Sequence, residues 1–199
     1  MLQIFHNPRS RSFRIVWLAE EMGMPYDIRA ETLGNPSAEL LAANPSGKLP
    51  TIRDGATAMS ESTAIMHYLT QKYGPTPIAL APDDARYADY VQFLIFGEAS
   101  MAAPLNPVIR TLFSAPDDQK QNFTVDATKA IFRLRVKDVD AQLGKGDYMA
   151  GDFSAADVSV GWSLGFGAVL GLDADYPPRV HDYFSRLQAR PAFKAALAK

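Results

Sequence analysis

The feature that most constrains the fold of this chain is segment 44–51, Asn-Pro-Ser-Gly-Lys-Leu-Pro-Thr. A glycine shortly before an apolar residue and a proline predicts a loop that delivers Leu49 and Pro50 to the start of a strand. If the bond between these two residues is cis, the turn projects the N–H and C=O of Leu49 away from the sheet, where an extended peptide can pair with them. The segment therefore predicts a slot shaped for a short peptide.

A second stretch, segment 60–65, follows closely and reads Ser-Glu-Ser-Thr-Ala-Ile. It predicts a helix from Ser62 to Lys72, whose free N–H groups and positive dipole end attract a carboxylate. Glu61, directly before the helix, can pair with an ammonium group. A small ligand that carries an α-ammonium, an α-carboxylate and a peptide segment would satisfy both stretches.

The first part of the chain alternates short strands with helices. Apolar residues recur at helical spacing from Ile15 to Met22, and Asp54-Gly55 is a turn dipeptide between two extended runs. The predicted order βαβαββα is typical of a thioredoxin-like domain. The predicted strands are 2–6, 25–31, 50–53 and 56–60, and the predicted helices are 11–22, 37–43 and 62–72.

The rest of the chain loses its strand signals after a proline-rich stretch. We predict a domain at 1–76, a linker at 77–84, and an all-α helical bundle domain at 85–199. Within the bundle, Ser154 and Asp157 have the spacing of a capping box at the start of a helix. The predicted helices of this domain are 85–101, 107–113, 119–143, 154–170, 179–188 and 192–197.

The order of a first strand, a serine-bearing helix start, N-P-x-G-K-L-P and then E-S-x-A-I resembles the cytosolic glutathione S-transferases, of a bacterial, serine-type or related class. The Gly151-Asp152 pair before the capping box agrees with the helical domain of that family. The resemblance covers nearly the whole chain. It implies glutathione as co-substrate, bound by an α+β thioredoxin-like domain that precedes an all-α domain, and a homodimer.

The resemblance also implies roles for individual residues. Ser10 stands four residues before Arg14, a spacing similar to that of the catalytic serine in serine-type transferases, so Ser10 is the predicted thiolate donor. Ser12 and Asn7 in the same turn remain alternatives, and either serine can instead cap the first helix. The other implied roles are Lys48 on the glycyl carboxylate, Leu49 as backbone partner, Pro50 as its cis geometry, and Glu61 and Ser62 on the γ-glutamyl group.

The hydrophobic electrophile is expected between the Ser10 turn and the first long helix of the bundle. An apolar stripe at helical spacing there can line its pocket, although aromatic and methionine side chains at that spacing usually belong to the core. The candidates are Phe96, Met101, Leu105, Ile109 and Phe113. His6 is interpreted as a packing residue at the end of the first strand.

Composition excludes several other classes of protein. A total of 20 Lys and Arg against 22 Asp and Glu argues against nucleic-acid binding, and the absence of cysteine means that any thiol must come from the ligand. We find no metal-ligand pattern, no targeting segment and no apolar run of membrane-spanning length, so a cytoplasmic, soluble protein is expected.

The predicted function is to ionise glutathione and conjugate it to hydrophobic electrophiles, as in detoxification. Two alternatives remain open at this point: a glutathione-binding regulatory or stress module with little turnover, and a glutathione-dependent isomerase or reductase.

Overall fold

The computed structural model describes Met1–Lys199 and divides into two compact units. The first unit comprises Met1–Leu80 together with Gln188–Lys199, and the helical unit comprises Ala81–Leu187. The predicted fold class, an α+β thioredoxin-like domain followed by an all-α domain, is confirmed. The division differs from the predicted one because residues 188–199 group with the first unit rather than with the helical bundle.

The first unit is built on a four-stranded mixed sheet with strand order β2-β1-β3-β4. Strands β1 and β2 are parallel, whereas β3 runs antiparallel to both of its neighbours. The elements are β1 (Leu2–His6), α1 (Phe13–Glu21), β2 (Tyr26–Ala30), α2 (Ala38–Ala43), β3 (Thr51–Asp54), β4 (Thr57–Ser60) and α3 (Ser62–Lys72).

The core of the first unit follows from the periodicity of its elements. Alternate residues of a strand point to one face of the sheet, whereas every third or fourth residue of a helix shares a side. Ile4 and Ile52, paired across β1 and β3, have no exposed surface, and neither do Ile15 and Leu69 of the covering helices. The predicted helical faces are therefore the buried ones.

The C-terminal helix α9 (Pro191–Leu197) packs against α1. The ring of Phe193 lies with its centroid 4.9 Å from that of Trp17 and 5.2 Å from that of Phe13. Arg190 donates two hydrogen bonds, 2.6 and 2.8 Å long, to the carboxylate of Glu21, which also accepts one of 2.9 Å from Trp17 Nε1. These contacts explain why residues 188–199 belong to the first unit.

The helical unit contains α4 (Tyr87–Phe96), α5 (Asn106–Ser114), α6 (Phe123–Leu143), α7 (Ala155–Val169) and most of α8 (Pro178–Ala189). The predicted helix at 85–101 is not α-helical throughout, because its backbone adopts π-helical geometry over Gly97–Ala102. A Cβ at Gly97 would lie 2.5 Å from Ser159 Oγ, so only glycine permits this approach of α4 to α7. Ser163 Oγ donates to the Gly97 carbonyl at 2.6 Å and satisfies it.

The predicted capping box at the start of α7 is present. The Ser154 N–H donates to a carboxylate oxygen of Asp157 at 2.8 Å, and the other carboxylate oxygen accepts from the Met149 N–H at 2.9 Å and the Tyr183 hydroxyl at 2.8 Å. Asp157 is fully buried, and burial raises its pKa to about 6 although these donors oppose the rise. The box thus joins α7, the preceding loop and α8.

None of the helices combines the length and the apolar character that crossing a membrane requires.

Candidate active site

The register of the sheet brings the predicted site segments to one edge. Phe5 of β1 pairs with Thr51 at the start of β3, and Thr51 pairs in turn with Ser60 at the end of β4. Because β3 is antiparallel to both neighbours, the ends of β1 and β4 lie beside its beginning. Segments 7–12, 48–50 and 61–62 therefore leave the sheet at the same edge.

The loop before β3 is fixed by hydrogen bonds and by one glycine. Asn44 Nδ2 donates to Thr51 Oγ1 at 3.0 Å and to the Lys48 carbonyl at 3.3 Å, and Thr51 Oγ1 donates to that carbonyl at 2.7 Å. Gly47 has a φ of 61°, and a Cβ there would lie 2.9 Å from Cγ of Pro36. The loop therefore holds one conformation as it enters the strand.

The Leu49–Pro50 bond is cis, as predicted. Thr51 is the first residue of β3, so Leu49 lies outside the strand ladder. Neither its N–H nor its C=O takes part in a hydrogen bond within the chain. The exposed side chain of Lys48 forms no ion pair within the chain. The backbone of Leu49 is therefore available to a ligand, as the peptide-slot interpretation requires.

The start of α3 lies beside this loop across the β3–β4 pair. Glu61 is exposed and is the one non-glycine residue with a positive φ, at 74°, a backbone conformation that tends to occur at ligand sites. Ser62 is buried, and its Oγ accepts a hydrogen bond of 2.9 Å from Nη1 of Arg14. The guanidinium thus fixes the position of the Ser62 oxygen, and the Ser62 hydroxyl can still donate its own proton to an acceptor.

The turn between β1 and α1 holds both candidate serines. Ser12 occupies the N-cap position of α1, but its hydroxyl makes no capping bond to the helix. Its Oγ lies instead 2.7 Å from Ser10 Oγ and 2.8 Å from His6 Nδ1. Ser12 is completely buried, whereas Ser10 keeps part of its surface exposed. Of the two serines, only Ser10 has surface that a ligand could contact.

The third candidate, Asn7, uses both ends of its side-chain amide in hydrogen bonds within the chain. Its Nδ2 donates to the Glu31 carbonyl at 2.9 Å, and its Oδ1 accepts from the Arg9 N–H at 3.0 Å. Its backbone carbonyl accepts from the Ser10 N–H at 2.9 Å. The role of Asn7 seen in the structure is to shape the turn that carries Ser10.

His6 belongs to this cluster, although its sequence position suggested only a packing role. Its ring contacts the Ser12 hydroxyl at the centre of the turn, and burial lowers its pKa to about 4, so the imidazole is neutral above pH 5. The only sequence signal for this contact is the separation of six residues between the end of a strand and the start of a helix.

Comparisons with known proteins agree with this geometry. The sequence profile of the glutathione S-transferase N-terminal domain matches residues 9–72. Glutathione S-transferase 1 of Zea mays is 33% identical over 195 residues, which cover 90% of this chain and 88% of the maize protein. The chain belongs to the glutathione S-transferase family.

Two solved structures of glutathione transferases share the fold. The protein from Methylococcus capsulatus strain Bath superposes with a TM-score of 0.88 at 21% identity, over 100% of this chain and 98% of the other. A Pseudomonas putida protein, crystallised with one glutathione disulfide per subunit, gives 0.84 at 22% identity, over 98% and 90% of the two chains.

The predicted electrophile contacts of this family member fall into two groups. Met101 and Leu105 have no exposed surface and lie in the core of the helical unit, so they present nothing to a ligand. Phe96 and Ile109 are half-buried, and Phe113 is 80% exposed. The last three residues stay predicted contacts of the electrophile.

The structure contains no group of three or more His, Asp or Glu side chains arranged to hold a metal ion. A surface pocket lined by Glu20, Met24 and Tyr26 lies at the opposite end of the sheet, where β2 begins beside Leu2. It is therefore separate from the cluster of predicted residues around Ser10, Leu49 and Ser62.

Proposed function

We propose that this glutathione S-transferase family member binds glutathione at the sheet edge formed by the end of β1 and the start of β3, ionises its thiol, and transfers the thiolate to hydrophobic electrophiles. The observation that carries the proposal is the free backbone of Leu49 beside the start of α3 and the Ser10 turn. A tripeptide needs these three elements together. The glutathione disulfide bound to the Pseudomonas putida relative supports this choice of ligand.

Each part of glutathione has a partner at this edge. The N–H and C=O of Leu49 pair with the cysteinyl backbone as an added strand would. The γ-glutamyl carboxylate lies at the N-terminus of α3, an 11-residue helix, where Ser62 donates its hydroxyl proton. Glu61 pairs with the ammonium group, and Lys48 pairs with the glycyl carboxylate. The cis bond of Pro50 presents the Leu49 backbone in the orientation that this pairing needs.

The chemical step requires a stabilised thiolate. A free thiol has a pKa of about 8.5, and lowering it by two units takes about 2–3 kcal/mol. A hydrogen bond to a charged group supplies roughly 1.5–3 kcal/mol, so the Ser10 hydroxyl provides most of what is needed. The thiol proton leaves to solvent, the sulfur forms a bond to carbon, and the leaving group departs with the electrons of the bond that breaks.

The thiol pKa of bound glutathione tests the role of Ser10. We would titrate thiolate absorbance against pH in the parent, in Ser10→Ala, and in the matched control Ser185→Ala, which removes an exposed serine on α8. We expect the pKa to rise by about one to two units in Ser10→Ala alone. An unchanged thiol pKa in Ser10→Ala would remove Ser10 from the mechanism and leave Asn7 as the candidate thiolate donor.

Turnover separates an enzyme from a binding module. Glutathione uptake measured by calorimetry, together with conjugation of at least one electrophile from a broad panel, supports the proposal. Uptake without conjugation of any panel member would favour a regulatory role.

The proposal also includes a cytoplasmic homodimer that serves detoxification. Membership of the glutathione S-transferase family supports this part of the proposal. The cytosol also contains a pool of glutathione, which is the proposed co-substrate. Sedimentation of the purified protein at twice the mass of one chain checks the assembly.

A further inference from the structure

Three side chains form a line of short contacts from the core to the surface of the Ser10 turn. His6 Nδ1 lies 2.8 Å from Ser12 Oγ, and Ser12 Oγ lies 2.7 Å from Ser10 Oγ. The first two residues are buried and Ser10 is partly exposed. The line therefore ends at the proposed thiolate donor.

The lone pairs of Ser12 Oγ limit how the protons in this line are arranged. A hydroxyl oxygen accepts two hydrogen bonds and donates one. Ser12 Oγ already accepts the Asn7 N–H at 3.1 Å, so a single lone pair remains. That lone pair accepts either from His6 or from Ser10, but not from both.

The two tautomers of His6 give opposite outcomes for Ser10. When Nδ1 carries the proton, it takes the last lone pair of Ser12, and the Ser10 hydroxyl has no acceptor in the turn. When Nε2 carries the proton, Nδ1 accepts from Ser12, and the Ser10 hydroxyl turns inward to the lone pair that becomes free. Only the first arrangement leaves the Ser10 proton for a ligand.

The burial of the ring selects the first arrangement. His6 Nε2 is buried and has no hydrogen-bond partner in the protein. A proton on Nε2 would thus be an orphaned buried donor, which native proteins avoid. The ring is neutral because burial lowers its pKa to about 4, so it carries one proton only.

The proton of Ser12 then has two acceptors within reach. Ser10 Oγ lies at 2.7 Å, whereas the Asn7 carbonyl lies at 3.2 Å and already accepts the Ser10 N–H at 2.9 Å. The shorter contact favours Ser10 Oγ as the acceptor. Ser10 Oγ also accepts the Ser12 N–H at 3.1 Å, which occupies its second lone pair.

We propose that His6 is a positioning residue: its Nδ1–H bonds to Ser12, Ser12 bonds to Ser10, and the Ser10 hydroxyl is thereby turned outward to the sulfur of glutathione. This inference rests on the proposed role of Ser10 as thiolate donor. His6 itself touches no substrate, so it acts only through the direction of the hydrogen bonds.

The tautomer can be measured without glutathione. Nitrogen NMR of the isotope-labelled protein at neutral pH distinguishes a protonated Nδ1 from a protonated Nε2, and the His6→Asn variant assigns the signal among the 3 histidines. We expect the proton on Nδ1. A proton on Nε2 would overturn the inference and leave the proposed function intact.

Two substitutions of His6 separate a donor role from a packing role. His6→Asn keeps an N–H near the position of Nδ1, whereas His6→Leu keeps bulk and removes the donor. In His6→Leu the Ser10 hydroxyl can donate inward to Ser12 Oγ. This bond must break before Ser10 can donate to the sulfur, so the thiol pKa of bound glutathione should rise by about half to one unit. His6→Asn should stay close to the parent. Equal shifts in both variants would indicate packing and overturn the inference.

A double variant gives the sharpest test. In His6→Leu with Ser12→Ala, the inward acceptor is gone, so the thiol pKa should return toward the parent value. A packing defect would instead persist or grow when a second buried group is removed. Melting temperature and glutathione Kd of each variant show that the compared proteins are folded and loaded.

The two proposals fail in different ways. If Ser10→Ala leaves the thiol pKa unchanged, the proposed donor is wrong and the inference about His6 falls with it. If Ser10→Ala raises the pKa but His6→Leu does not, only the inference about His6 is wrong. Should His6→Leu not fold, the tautomer measured in the parent protein decides the matter.

Discussion

Arg14 Nη1 donates a hydrogen bond of 2.9 Å to Ser62 Oγ, and both side chains are buried. The bond joins the beginning of α1, which carries the Ser10 turn, to the beginning of α3, where the γ-glutamyl carboxylate is proposed to bind. The proposed thiolate donor and the proposed carboxylate site are thus linked by one guanidinium.

Replacing this guanidinium should cost both stability and affinity. A hydrogen bond from a charged donor is worth about 1.5–3 kcal/mol, so we expect Arg14→Met to lower the free energy of unfolding by about that amount. Glutathione Kd should rise as Ser62 loses its fixed orientation. Urea unfolding and calorimetry measure the two effects. Arg110→Met, which removes an exposed arginine of α5, is the control and should change neither quantity.

The conformation of the loop before β3 can be tested with two glycines. Gly47 and Gly55 have nearly the same φ, 61° and 60°, so alanine at either position should cost roughly 1–2 kcal/mol. A Cβ at Gly47 also meets Pro36, whereas one at Gly55 meets nothing within 4 Å. We therefore expect only Gly47→Ala to weaken glutathione binding further, because the loop that presents Leu49 must shift. Equal Kd values for the two variants would contradict the proposed pairing with Leu49.

Buried Asp157 predicts a pH-dependent loss of stability. Burial raises its folded pKa from 3.8 to about 6, so the protonated form is favoured in the folded state. The stability that this group contributes is complete below about pH 4 and is lost as the pH rises through 6. The Tyr183 hydroxyl bonds to a neutral carboxyl at low pH and to a carboxylate at pH 8.

Removing the Tyr183 hydroxyl should therefore matter more at high pH. We expect Tyr183→Phe to cost roughly 1.5–3 kcal/mol at pH 8 and roughly 0.5–1.5 kcal/mol at pH 4.5, measured by urea unfolding. Tyr176→Phe is the matched control, because its buried hydroxyl donates to the neutral Leu164 carbonyl at 2.7 Å. Its cost should be the same at both pH values. A cost for Tyr183→Phe that does not change with pH would be inconsistent with ionisation of Asp157 in the folded protein.

The contact between α9 and α1 predicts a stabilising role for Phe193. Replacing a fully buried phenylalanine by alanine costs about 3–5 kcal/mol, and Phe193 is half-buried, so Phe193→Ala should cost about 2 kcal/mol. Trp17 fluorescence should change in the folded state, because the Trp17 and Phe193 rings lie 4.9 Å apart. Phe123→Ala, at a position that is 87% exposed, should leave both unchanged. An unaltered unfolding curve for Phe193→Ala would show that this packing contributes little.

Local chemistry made much of the fold predictable from sequence. The cis bond at Pro50, the helix beginning at Ser62, and the capping box of Ser154 each depend on residues that are close neighbours in the chain. The order of strands and helices followed from hydrophobic periodicity and turn residues along the chain.

Features that depend on distant or three-dimensional contacts were not predictable. The contact between Arg190 and Glu21 spans 169 residues, and nothing in segment 188–199 distinguishes a helix of the first unit from one of the bundle. The burial of Met101 and Leu105 is set by helices that sequence periodicity cannot position. The hydrogen bond between His6 and Ser12 depends on how the chain turns between β1 and α1.

The packing of α9 on α1 also affects the order in which the protein is assembled on the ribosome. Phe193 cannot pack against Trp17 until the whole of 81–187 has been translated, because α9 follows that segment. At rates of about 5–20 residues per second, roughly 5–20 s pass before α9 can add its contacts to the aromatic side chains of α1. Chaperones that bind apolar segments have that interval in which to act.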